Sequence, residues 1–170
     1  GNIILFQKLN ILYNLKKNIY AFDTFEGMPA SNEFDKDYNE NFASDLMSKE
    51  EKNSNLNNIH CYSPYEEVVN NISKYVEVSN IKFIKGKVEE TLLENINIPK
   101  KISILRLDTD FYSSTKIELE VLYNRLVKGG ILIIDDYGHW KGARKAVDEF
   151  FNGKEWLHYV DYSCRYIIKN

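Results

Sequence analysis

The chain has 170 residues, 44% of them apolar and 28% charged, with a net charge of -3. That suits a single domain, spanning 1–170, with a real hydrophobic core. Lysines alternate with acids and asparagines, so no basic stripe marks a nucleic-acid partner. No apolar run reaches membrane-spanning length, no signal peptide is recognised, and a membrane partner is not expected. Cys61 and Cys164 form neither a disulfide framework nor a metal-ligand spacing, which predicts free thiols in a reducing, cytoplasmic setting.

In chain order, Gly1-Asn2 runs straight into IILFQKLNILYNL. Its Ile3, Leu5, Phe6, Leu9 and Leu12 fit one helical face and predict a helix over about 2–15, as in a chain cut just before a helix. A short strand over 19–22 ends at Asp23. Residues 31–58 are polar and weakly periodic, a long excursion with one short helix. Ser63-Pro64-Tyr65-Glu66 is a capping box with proline at the first helical position, and the helix is expected to reach about Val76. IKFIKG (81–86) predicts a strand ending in glycine, and ISILRLD (102–108) a strand buried on both faces. Thr115-Lys116-Ile117-Glu118 is a second capping box, opening a helix that Gly129-Gly130 terminates. ILIIDD (131–136) is another doubly buried strand. A helix over 142–151 and two closing strands, within WLHYVDY and CRYIIK, complete the chain.

Strands alternating with helices predict a three-layer α/β domain with a mostly parallel sheet. Ligands of such sheets bind at the carboxyl ends of the strands. Asp23, Gly86, Asp108 and Asp135 each stand where a strand stops, so four segments should converge on one edge.

Asp108 and Asp110 follow one apolar strand, and Asp135 and Asp136 close the next. Burying a carboxylate without a partner is costly, and crowded carboxylates repel one another unless a cation sits among them. Oxygen-only ligation suits Mg²⁺, Ca²⁺ or Mn²⁺, and the lack of a His/Cys cluster argues against structural zinc. The plainer alternative is helix capping, which Asp110 could do beside Ser113-Ser114-Thr115. Asp23 could accept hydrogen bonds from the ribose hydroxyls of a nucleoside, or be only a turn residue in DTFEG. His139, beside Trp140, is a candidate by position alone. His60 and His158 stand beside no other candidate ligand.

FDTFEGMP (22–29), LRLDTDFYSSTKIELEVLY (105–123) and GGILIIDDYGHWKGARKAVDEFF (129–151) resemble the macrocin O-methyltransferase family. The last run is far more specific than a lone D-x-D. The resemblance implies a Rossmann-like methyltransferase fold, S-adenosylmethionine and Mg²⁺ as cofactors, and methylation of a hydroxyl on a small-molecule sugar or glycoside. Such enzymes serve antibiotic pathways, with relatives in bacterial surface-polysaccharide clusters, and tend to form homo-oligomers. It also implies roles. Asp108, Asp135 and Asp136 match metal ligands, with Asp108 bordering the cofactor as well, and Asp110 matches the general base. Asp23 and Thr24 match the ribose side, and Gly86, Lys87 and Val88 the backbone around adenine. His139, as a catalytic candidate, and Tyr137 fall where the substrate is expected.

The chain departs from the family at its front, where the first strand and glycine-rich loop are not found. In the family's sheet order that strand lies between the second and fourth, so a gap in the sheet is expected. Two rival functions remain open on the sequence. One is a metal-dependent glycosyltransferase using Asp108 and Asp110 as a D-x-D. The other is an inactive truncated relative serving as a binding module.

Overall fold

The computed structural model describes residues 1–50 and 59–170, so the 51–58 part of the polar excursion lies outside the described residues. Among the described residues, six strands form two sheets. Strands β1 (Ile19–Asp23) and β2 (Ile81–Lys85) pair in parallel, with Asp23 opposite Lys85. Strands β3 (Ile102–Leu107) and β4 (Leu126–Ile134) also pair in parallel. The closing strands β5 (His158–Tyr159) and β6 (Arg165–Ile168) add antiparallel, in the order β3-β4-β6-β5. The strands thus fall into two separate sheets, in keeping with the expected gap.

Helices α1 (Asn2–Leu12), α2 (Ala43–Ser48), α3 (Tyr65–Ser73), α4 (Val88–Thr91), α5 (Tyr112–Leu122) and α6 (Lys141–Phe151) surround the strands. The main core lies between the larger sheet and α4, α5 and α6, where Leu119, Leu132, Ile134, Val147 and Ile167 are almost wholly buried. Truncating such a leucine to alanine typically costs ~2–5 kcal/mol, from lost burial and the cavity left behind. A second, smaller core of Ile72, Val76 and Ile81 lies under β1 and β2.

Several expectations are corrected. Of the supposed apolar face of α1, Leu5, Leu9 and Leu12 are exposed and Ile3 and Phe6 half-buried, while Gln7 and Asn10 are buried. These amides join a polar network: Gln7 Nε2 donates to the Glu77 carbonyl and Asn10 Nδ2 to the Lys17 carbonyl. Neither capping box forms. Pro64 is itself the N-cap of α3, with no side-chain cap bond. Helix α5 begins three residues before Thr115, so Glu118 lies inside it. Its first amide is capped from afar, with Tyr112 N–H donating to Asp35 Oδ1 at 2.8 Å. Gly129 and Gly130 do not end that helix but lie within β4, where Gly129 takes a positive φ of 75° beside a register irregularity. Strand β3 is not buried on both faces: it forms the free edge of its sheet, and Ile104 is 49% exposed.

Candidate active site

Each apolar strand stops at its acid, because a charged side chain cannot continue a buried run. Leu107 ends β3 and Asp108 follows; Ile134 ends β4 and Asp135-Asp136 follow. The Asp135 N–H donates to the Leu107 carbonyl at 3.0 Å, extending the strand pairing to the acids themselves. One carboxylate oxygen from each of Asp108, Asp135 and Asp136 lies within 4.8 Å of the others.

Arg106, missed in the sequence, reaches the same point. It ion-pairs with Asp108 and, at 2.8 Å, with Asp135. Its signal was available: alternate residues of a strand share a face, so Arg106 and Asp108 project together. Arg106 leaves Asp136 unanswered. Asp136 Oδ2 is buried and has no hydrogen-bond partner among the described residues. An orphaned buried carboxylate oxygen beside two further carboxylates is a donor set that fits a hard divalent cation.

The electrostatics agree with that fit. Burial pushes the Asp136 carboxyl well above the usual carboxylate range, and the facing Asp110 pushes it further. Asp110 is likewise raised by burial, although its hydrogen bond with Asp136 works in the opposite direction. Asp108 is raised by desolvation and by Asp135 against the pull of Arg106. Asp110 is not a member of the triad. It takes a positive φ of 67°, uncommon for a side-chain-bearing residue, which turns it toward Asp136.

The turn is held from behind. Ser114 Oγ donates to the Thr109 carbonyl, and Thr109 Oγ1 donates to Glu118 Oε2 at 2.9 Å. Glu118 is fully buried, and desolvation raises its pKa to about 8. It was overlooked because its sequence position resembles a capping box.

Asp110, Asp135 and Asp136 open into a cavity of about 500 Å³, lined also by Cys61, His139, Trp140, Asp161, Tyr162 and Cys164. Gly138 admits the Tyr162 backbone, which a Cβ would strike, and its N–H donates to the Ser163 carbonyl at 2.8 Å. Tyr137 is turned elsewhere: its hydroxyl donates to Asp148 Oδ1 on α6 at 2.7 Å. His60 sits at the far side, with Nε2 near the Met47 and Glu50 carbonyls.

The remaining candidates belong to the smaller sheet. Asp23 ends β1, and its carbonyl accepts from Gly86 N–H at 3.0 Å, which joins the two strand ends. Asp23 Oδ1 accepts from Phe25 N–H at 2.7 Å, so the turn role is real and Oδ2 is the oxygen left over. Thr24 Oγ1 donates to the Gly27 carbonyl, within the loop. Gly86 has a φ of 139°, a region closed to side-chain-bearing residues, and Lys87 and Val88 open α4.

Comparison with known structures identifies the class. The O-methyltransferase NovP superposes with a TM-score of 0.77 at 26% identity, covering 98% of this chain and 66% of that one. The calicheamicin methyltransferase CalS11 gives 0.69 at 20% identity, with the same coverages. The domain therefore has the α/β methyltransferase fold. The family model described as Macrocin-O-methyltransferase (TylF) matches residues 1–169, and the chain belongs to that family.

Two relatives stand out by sequence. One is the 8-demethyl-8-(2,3-dimethoxy-alpha-L-rhamnosyl)-tetracenomycin-C 4'-O-methyltransferase of Streptomyces olivaceus, 32% identical over 136 residues. The other is the demethyldecarbamoylnovobiocin O-methyltransferase of Streptomyces niveus, 30% identical over 137. Each match covers 79% of this chain and 47% of the relative, so the chain spans about half the length of both. The glycosyltransferase reading finds no support, since neither the fold nor the family is of that kind. The close triad also passes over the second acid of the D-x-D.

Proposed function

We propose that this protein is an S-adenosylmethionine-dependent, divalent-metal-dependent O-methyltransferase acting on a sugar hydroxyl. The observation that carries the reading is the triad of Asp108, Asp135 and Asp136, with its orphaned buried oxygen, in a chain of this family. The two relatives, which O-methylate a rhamnosyl-tetracenomycin and demethyldecarbamoylnovobiocin, support the acceptor class.

When bound, Mg²⁺ supplies the charge that acidifies and orients the acceptor hydroxyl, and S-adenosylmethionine supplies the methyl group. The rest falls to the chain itself. Asp108, Asp135 and Asp136 would hold the ion. Asp110 would take the proton of the acceptor hydroxyl as general base. Asp23 Oδ2 is free to accept from a ribose hydroxyl, and the Gly86–Val88 backbone borders the adenine. His139 lines the acceptor side.

The test is incubation of the full chain with S-adenosylmethionine, Mg²⁺ and a panel of rhamnosides, read by mass spectrometry. The expected result is a singly methylated sugar that chelation of the metal abolishes. Calorimetry adds a second arm. Tight binding of a nucleoside diphosphate, with no binding of S-adenosylhomocysteine, would overturn the proposal.

A further inference from the structure

The turn that carries Asp110 is strained, and its support comes from one face of α5. Phe111 N–H donates to the Thr109 carbonyl at 2.7 Å, closing a three-residue turn around Asp110, whose φ is 67°. Such turns with a positive central φ are rare and strained. A side-chain-bearing residue stays in one only where its surroundings over-determine it.

Thr109 is the residue that the surroundings grip. Ser114 and Glu118 stand four residues apart on α5 and so share one face. Ser114, 2% exposed, donates through Oγ to the Thr109 carbonyl at 3.2 Å. Glu118, 5% exposed, accepts from Thr109 Oγ1 at 2.9 Å. The carbonyl and the side chain of Thr109 are thus held at once from the buried side, and the strained residue is the next in the chain.

A buried carboxyl is a costly means of holding a threonine, and Glu89, Asp108 and Asp136 add like charge around this one. Replacing both partners of a buried hydrogen bond with apolar groups of similar shape is often neutral or stabilising. Fold stability alone therefore gives no reason for the pair. What an apolar pair could not supply is a fixed orientation for Thr109, and through it for Asp110. Glu118 lies outside the lining of the acidic cavity, so it acts only through its neighbour. With its pKa raised to about 8, it is largely neutral near pH 7, which makes glutamine its closest mimic.

We propose that Glu118, through Thr109, is a positioning residue that holds Asp110 in its left-handed turn and keeps its carboxyl aimed at Asp136. The proposal rests on the reading of Asp110 as the base of a methyl transfer.

The experiment has two arms, both on the full chain. The first is amide hydrogen exchange by NMR without metal or cofactor, because the Phe111 amide closes the turn. Glu118→Leu and Thr109→Val should each lower protection at Phe111 about tenfold relative to Leu132 and Val147 in the core, the worth of one lost hydrogen bond. Glu118→Gln should keep it. The second arm is methyl transfer from S-adenosylmethionine with Mg²⁺ and the rhamnoside panel. Both apolar variants should lower kcat by ~10–10², the cost of a misplaced catalytic group. Acceptor KM and Mn²⁺ affinity should stay near wild type, and Glu118→Gln should retain turnover.

The double variant should lose no more turnover than either single one, since both remove the same bond, and its Tm should equal or exceed that of the wild type. The clamp is overturned if neither apolar variant changes Phe111 protection, if Glu118→Gln loses as much as Glu118→Leu, or if the two losses multiply. Should Glu118→Leu not fold, Thr109→Val removes the same bond and decides alone. A wild type that transfers no methyl group while the exchange pattern holds would instead overturn the proposed activity and leave the clamp standing.

Discussion

The four-stranded sheet is covered by α5 and α6 and centres on a continuous core, whereas the two-stranded sheet rests on a small cluster of aliphatic residues. Beside the smaller sheet, α1 leaves Leu5, Leu9 and Leu12 in solvent. The metal and base candidates all stand on the larger sheet, and Asp23 and Gly86 on the smaller. On the proposed reading, metal chemistry and cofactor binding would be carried by separately built parts, and substitutions should separate them.

The largest expected effect comes from the larger sheet. Asp135→Asn or Asp136→Asn should abolish Mg²⁺-dependent turnover while S-adenosylhomocysteine affinity, measured by calorimetry, stays near wild type. Equal loss of both would mean that the two sheets act as one unit. Asp110→Asn should lower turnover by ~10²–10⁴, the usual contribution of a general base, and keep metal affinity. Unchanged turnover would remove Asp110 from the mechanism. On the smaller sheet, Asp23→Ala should weaken S-adenosylhomocysteine about tenfold or more, as expected for a lost hydrogen bond to a charged group, and spare Mn²⁺ binding. Cofactor affinity unaffected by that change would reduce Asp23 to its turn role.

The smallest effect is one of pH. Burial raises the pKa of Asp108, Asp110, Asp136 and Glu118 in the metal-free fold. The folded chain then holds protons that the unfolded chain has lost, so stability is fullest below the ordinary carboxylate range and falls as pH rises through the raised values. Thermal melts without metal should show Tm declining from about pH 5 to about pH 8.5. Glu118→Gln should flatten part of that decline, because Glu118 titrates at about 8 outside the metal triad. A flat wild-type profile would contradict the burial of these groups.

The two regions also differed in how far the sequence could be read. Strand ends were legible because an apolar run stopped by an acid has few alternatives, and Asp23, Asp108 and Asp135 all stand where expected. The start of α5 was not, because its cap is tertiary. Asp35 caps α5 from 77 residues away, and no local pattern announces it. The apolar residues of α1 misled because amide pairing joins the packing of Ile3 and Ile4 in anchoring that helix, and Leu5, Leu9 and Leu12 are left exposed. Gly129-Gly130 resembled a helix stop, whereas the positive φ at Gly129 serves an irregular strand. At the site, the four clustered acids were legible. Arg106 was readable by strand alternation.

The central claim, a divalent cation held by Asp108, Asp135 and Asp136, is tested most directly by calorimetric titration of Mn²⁺ into the full chain near neutral pH, in two buffers of different ionisation enthalpy. The account predicts one ion per chain, proton release as the raised carboxyls give way to the metal, and loss of the signal in Asp136→Asn. Binding that survives Asp136→Asn, or no binding at all by the wild type, would contradict it.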